Sequence, residues 1–156
     1  MRATIFSAAG LSAALACCAV AAVPPVAQAA VGTPTTFVID TQFVDGPSTI
    51  VSASGPLAPC VSAVSVGNVA TQVSPSKLMF SGEKVLACGA GEVVVHFDAT
   101  INLSAARKTF GDWYVVSSTL PGVVGGSGTV TGDSKGCTPV DGAGGCILDT
   151  FTGRVY

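Results

Sequence analysis

Charge is scarce in this chain: only 10% of its 156 residues are Asp, Glu, Lys or Arg, and it holds a single histidine, His96. Nor is there a surplus of positive charge. Residues 30–156 carry six basic side chains (Lys77, Lys84, Arg107, Lys108, Lys135 and Arg154) against nine acids, a net of −3. A nucleic-acid binder needs a concentrated basic face, so that class is excluded and no nucleic-acid partner is expected. Beyond the N-terminal segment no run approaches the ~20 apolar residues of a membrane span, so no membrane span is expected in the mature chain. No stretch has a 3.6-residue apolar period, and nineteen glycines and nine prolines interrupt the chain too often for long helices.

Two motif classes are missing as well. There is no Gly-x-Ser-x-Gly elbow, which a strand-to-helix nucleophile turn requires. The run Gly126-Ser-Gly-Thr-Val-Thr-Gly132 has the wrong glycine spacing for a dinucleotide fingerprint, and no helix follows it. Its glycines suit a curved strand instead. No cofactor is implied.

Apolarity is abundant, with 49% hydrophobic residues and a mean hydropathy of +0.63. Part of it is not fold. Residues 1–29 hold Arg2 as their only charge, an apolar stretch from Ala3 to Val23, and then Ala27-Gln28-Ala29. A basic start, an apolar middle and small residues before the cut read as a secretory signal peptide. Cleavage would leave 30–156 as a single exported domain. Ala14-Leu15-Ala16-Cys17 is a degenerate lipoprotein box and a poorer cleavage site.

Cys17 and Cys18 leave with the signal. Cys60, Cys88, Cys137 and Cys146 remain, an even number in an exported chain, which predicts two disulfides. Three connectivities are open. The eight residues between Cys137 and Cys146 include Pro139 and three glycines, which favours a clipped loop there and leaves Cys60 for Cys88. No pair has C-x₂₋₄-C spacing, so no metal site is assigned to them.

β-Branched residues dominate between the turns. Ten extended segments are expected, at 36–44, 48–54, 60–66, 69–73, 78–80, 84–88, 92–103, 112–119, 126–132 and 146–155, several of them short, and together they make eight or nine strands. The clearest is 92–103. Its odd positions are Val93, Val95, Phe97, Ala99, Ile101 and Leu103, and its even positions are nearly all polar. One face should pack in the core while His96 and Asp98 face outward. This pattern predicts an all-β antiparallel meander, either a sandwich or a barrel, and a barrel removes exposed edges.

The stretch from Phe80 to Arg154 adds an order of motifs. A strand Glu92-Val-Val-Val-His-Phe-Asp-Ala-Thr-Ile-Asn-Leu103 precedes Gly111-Asp-Trp-Tyr-Val-Val-Ser-Ser118, then Gly125-Gly-Ser-Gly-Thr-Val-Thr-Gly132, and a closing Leu148-Asp-Thr-Phe-Thr-Gly-Arg154. About half the chain thus resembles small secreted bacterial proteins related to the allene oxide cyclase barrel, the calycin-like fold shared with plant dirigent proteins. The resemblance implies an eight-stranded antiparallel barrel with a central apolar cavity. It does not imply cyclase activity. Neither the acidic dirigent signature nor a cyclase's cofactor-free active site has a match here.

Few residues carry a candidate chemistry. His96 and Asp98 share a strand face and form a possible acid–base pair, with Glu92 on the same face, although a solvated polar row explains all three. Trp113 and Tyr114 point to opposite faces of their strand, so one aromatic faces inward. Trp113 and Phe97 are the candidates to line a ligand cavity, or else they plug a filled core. Arg154 and Asp149 differ in parity and should not pair. Three readings remain open: a barrel binding a small hydrophobic ligand, a cofactor-free isomerase or cyclase, and a structural cell-surface module with a solid barrel.

Overall fold

The computed structural model describes residues 31–103 and 108–156; the expected signal segment 1–29 and Arg107 lie outside them. Eight strands follow one another: β1 (Thr33–Gln42), β2 (Gly46–Ala53), β3 (Ser62–Ser74), β4 (Lys77–Ala87), β5 (Glu92–Asn102), β6 (Lys108–Ser118), β7 (Gly126–Asp133) and β8 (Cys146–Val155). A short 3₁₀ turn, Gly55–Leu57, sits between β2 and β3. Each strand pairs antiparallel with its neighbours in sequence, and β1 pairs with β8 over ten residues to close a barrel. The eight-stranded meander barrel read from the sequence is the observed architecture.

Alternation drives the closure. On β5, Val93, Val95, Phe97, Ala99 and Ile101 are buried, and the residues between them are half-buried or exposed. Leu103 corrects the expectation for that strand. It lies one residue past the end of β5 and is 37% exposed, because its N–H is turned to the Ser76 carbonyl as the chain leaves the barrel wall.

Other boundaries differ from the sequence reading as well. The segments 60–66 and 69–73 join in one strand, β3, with an irregular register between Val66 and Val69 where Gly67 takes a φ of +64°. A positive φ is costly for any residue with a Cβ, so the Gly67-Asn68 turn signal marks a bulge here. Likewise 78–80 and 84–88 are one strand, β4, continuous through Gly82. Gly82 is held extended because β5 pairs with it along the whole length. β1 runs from residue 33 to 42 instead of 36 to 44, leaving Phe43 just beyond its end.

The core fills the barrel. Phe37 stacks on Phe151 with ring centroids 4.6 Å apart, and Trp113 meets Phe37 edge-on at 5.3 Å. Trp113 pairs in register with Gly128, and Gly128 with Gly153. The indole Nε1 donates to the Thr152 carbonyl at 3.3 Å. Glycines on β7 and β8 thus let the strands come close beside the largest side chain in the molecule.

Leu57, Leu120 and Val123 are buried at the end of the barrel where β1 begins and β8 finishes. The Cys60–Cys88 disulfide lies at that end. A second disulfide, Cys137–Cys146, ties the loop after β7 to the start of β8. Both pairings are those favoured by the sequence. Gln42 fastens the same loop, accepting from Val140 N at 3.0 Å and donating to Asp40 at 3.1 Å.

Candidate functional site

The opposite end of the barrel is less completely filled. A cavity of about 20 Å³ opens there, lined by Thr41, Gln42, Phe43, Asn68, Phe80, Phe97, Ala99, Ile101, Thr109, Val130, Ile147 and Asp149. That volume holds about one water molecule. Its mouth is aromatic. Phe43, just beyond β1, faces Phe80 of β4 with ring centroids 5.9 Å apart. The Asn68 side chain, delivered by the bulge in β3, lies over Gly82 in space that any Cβ would occupy.

The lining is mostly apolar but includes a polar cluster. Asp149 points inward because it has the parity of Ile147 and Phe151 on β8, and it is only 6% exposed. Thr41 on β1 and Thr109 on β6 are buried on the same inner surface. Thr41 Oγ1, Thr109 Oγ1 and Asp149 Oδ1 are all buried with no well-aligned hydrogen bond, although both hydroxyls lie close enough to the carboxylate to favour its charged form. Gly132 of β7 makes the space for the carboxylate, since a Cβ there would stand 2.5 Å from Asp149 Oδ1.

Deeper in the barrel lies a second inward charge. Lys84, with the parity of Leu86 and Cys88, is fully buried. Its Nζ donates to Ser65 Oγ at 3.0 Å and sits 5.1 Å from the centre of the Phe97 ring. Lys84 and Asp149 interact through the low-dielectric interior. Burial pushes the Lys84 ammonium down to about 8, with the Asp149 charge opposing that fall. Burial raises the Asp149 carboxyl to about 6, countered first by Lys84 and then by the Thr41 and Thr109 hydroxyls.

Neither residue was singled out from the sequence, yet a signal was there. Lys84 shares the parity of Leu86 and Cys88, and Asp149 that of Ile147 and Phe151. A charge in an otherwise apolar row of alternate residues points to the interior, just as the apolar row of β5 does.

The residues that were singled out lie elsewhere, apart from Phe97. Phe97 forms part of the cavity wall, whereas Trp113 is packed against Phe37 and Phe151 and does not line it. His96 and Asp98 are on the outer surface, with Nε2 to Oδ2 at 3.3 Å. Ser81 Oγ approaches the same Nε2 at 3.3 Å. A nucleophilic relay needs the serine on one ring nitrogen and the carboxylate on the other, so this cluster lacks that arrangement. Arg154 donates to the Gly32 carbonyl and does not pair with Asp149. Among the described residues, Asp40, Cys137 and Cys146 bring three potential ligand atoms within 4.8 Å of one another. Both sulfurs are consumed in the disulfide and offer no thiolate.

Among the described residues no helix is long and apolar enough to cross a membrane. No protein-family model, curated protein or solved structure matches this chain.

Proposed function

We propose that this chain is a secreted barrel of the allene oxide cyclase-like kind that binds a small, mainly apolar molecule at the end of its interior where β1 finishes and β8 begins. The observation that carries the reading is the cavity itself. Its lining includes Phe43 and Phe80 together with Phe97, Ala99, Ile101 and Ile147. An eight-stranded barrel is about the size that holds one small ligand. Occupation requires the Phe43 and Phe80 rings to part, because in their present positions they leave room for about one water. Phe43 lies just past β1 with its N–H donating to the Gly145 carbonyl at 3.1 Å, so opening turns the side chain while the backbone stays held. The two disulfides fit an oxidising compartment and support export, with residues 1–29 as its signal.

Native mass spectrometry of protein purified from its host tests this reading. A retained small apolar mass is expected, and it should be lost in Ala99→Phe, which fills the cavity. A bare protein mass, together with no shift of the Ile101 and Ile147 methyl resonances on adding heptane, would overturn it.

One observation favours a second reading, a cofactor-free isomerase. Asp149 is an inward carboxylate whose proton affinity is raised toward neutrality, as a general base requires. Turnover abolished in Asp149→Asn while ligand affinity persists would put this reading first.

A further inference from the structure

One part of the cavity lining differs chemically from the rest. Asp149 Oδ1, Thr41 Oγ1 and Thr109 Oγ1 are buried oxygens with no well-aligned hydrogen bond, the two hydroxyls lying near enough to the carboxylate to favour its charged form, and they are carried on three different strands around one small space. Leaving such groups unpaired in an apolar interior is costly, so a partner at this point gains what each would otherwise lose. The Lys84 ammonium donates to Ser65.

We infer that these three oxygens form a recognition point for one uncharged hydroxyl, so that the occupant of the barrel is a small aliphatic alcohol whose chain lies toward Phe43 and Phe80. The inference rests on the binding reading above and goes further by naming the ligand class. A hydroxyl donates to the Asp149 carboxylate and accepts from a threonine hydroxyl, which matches the acceptor and donor on offer. A charged head group suits the site less well. An ammonium would place a second positive charge near Lys84, and a carboxylate would face Asp149; either leaves a net charge in a low-dielectric space. A hydrocarbon or ether of the same length fills the walls but supplies no donor. Sites built to hydrogen-bond a hydroxyl discriminate strongly against analogues that lack it.

The test compares four probes of equal heavy-atom count: hexan-1-ol, 1-methoxypentane, heptane and hexylammonium. Each is titrated into the disulfide-bonded protein while the Ile101 and Ile147 methyl resonances are followed. Hexan-1-ol should bind at least tenfold more tightly than 1-methoxypentane. In Lys84→Met/Asp149→Leu, which removes the acceptor without leaving a lone buried charge, that preference should shrink to under threefold. Equal binding of alcohol, ether and heptane would overturn the hydroxyl assignment and leave the apolar-ligand reading standing. Tighter binding of hexylammonium would overturn it in favour of a cation site. If none of the four moves either methyl resonance, the binding reading fails and this inference with it.

Discussion

Phe97 and His96 are neighbours in sequence with opposite environments, and their difference is measurable. Phe97 is 6% exposed and touches both the cavity and the Lys84 ammonium, so Phe97→Ala should cost about 3–5 kcal/mol in chemical denaturation. His96 is on the outer face with long contacts to Asp98 and Ser81 and its ring beside Tyr114, and His96→Ala should cost well under ~1 kcal/mol. The buried pair predicts an unusual pH dependence. Asp149 has a folded pKa of about 6, above its ordinary 3.8, so between these values the folded state holds the extra proton. Its contribution to stability is full below 3.8 and is lost as pH rises through 6. Lys84 has a folded pKa of about 8, below its ordinary 10.5, so the unfolded state holds the extra proton in that window and stability is regained as pH rises through it. The pair therefore contributes least between pH 6 and 8, where both groups are charged, with each flank on the order of 3 kcal/mol. Denaturation of wild type and of Lys84→Met/Asp149→Leu across pH 4–10 should show wild type relatively weakest near pH 7. A difference that does not vary with pH would refute this account.

Among the elements, the two disulfides close loops of different length. The chain-entropy argument assigns roughly 2.5 kcal/mol to Cys137–Cys146, nine residues apart, and roughly 3.5 kcal/mol to Cys60–Cys88, twenty-eight apart. Cys60–Cys88 also holds the entry to β3 beside the end of β4, at the plugged end of the barrel. Paired Cys→Ala variants should therefore rank in that order by denaturation midpoint, and the unfolded, non-reduced protein should titrate no free thiol. Strand β7 depends on Gly132. A Cβ there meets the Asp149 carboxylate and the Leu148 carbonyl oxygen, at 2.5 and 2.7 Å. Gly132→Ala should cost about 1–3 kcal/mol and displace Asp149, which hexan-1-ol affinity would register.

For the whole molecule, closure is the decisive contact, because β1 and β8 join the two ends of the described chain. Removing residues 146–156 would leave β1 and β7 as open edges and strip Ile147, Asp149, Phe151 and Val155 from the interior. That truncated chain should show no cooperative unfolding transition; a sharp transition would mean that seven strands suffice. Non-local pairing of this kind also sets the folding speed, in the millisecond-to-second range of β-barrels. Intact mass of the exported protein should begin at or near Ala30, and a mass retaining residues 1–29 would refute the signal assignment.

Alternation alone determined a good deal. Six apolar side chains at period two on residues 92–103 demand a buried face, and five of the six have it. The same local logic marked residues 146–155, which coincide with β8, and the spacing of Cys137 and Cys146 favoured their bridge. These are short-range properties, set by backbone geometry within one segment. What lay beyond them depends on partners far away in the chain. Gly67-Asn68 reads as a turn, and only pairing with β4 makes it a bulge inside β3. Leu103 continues the apolar row, but the barrel wall ends at Asn102. Lys84 and Asp149 carry inward parity, yet local sequence does not tell whether an inward charge meets an opposing one. They are sixty-five positions apart, and only barrel closure brings their charges within electrostatic reach across a dry interior.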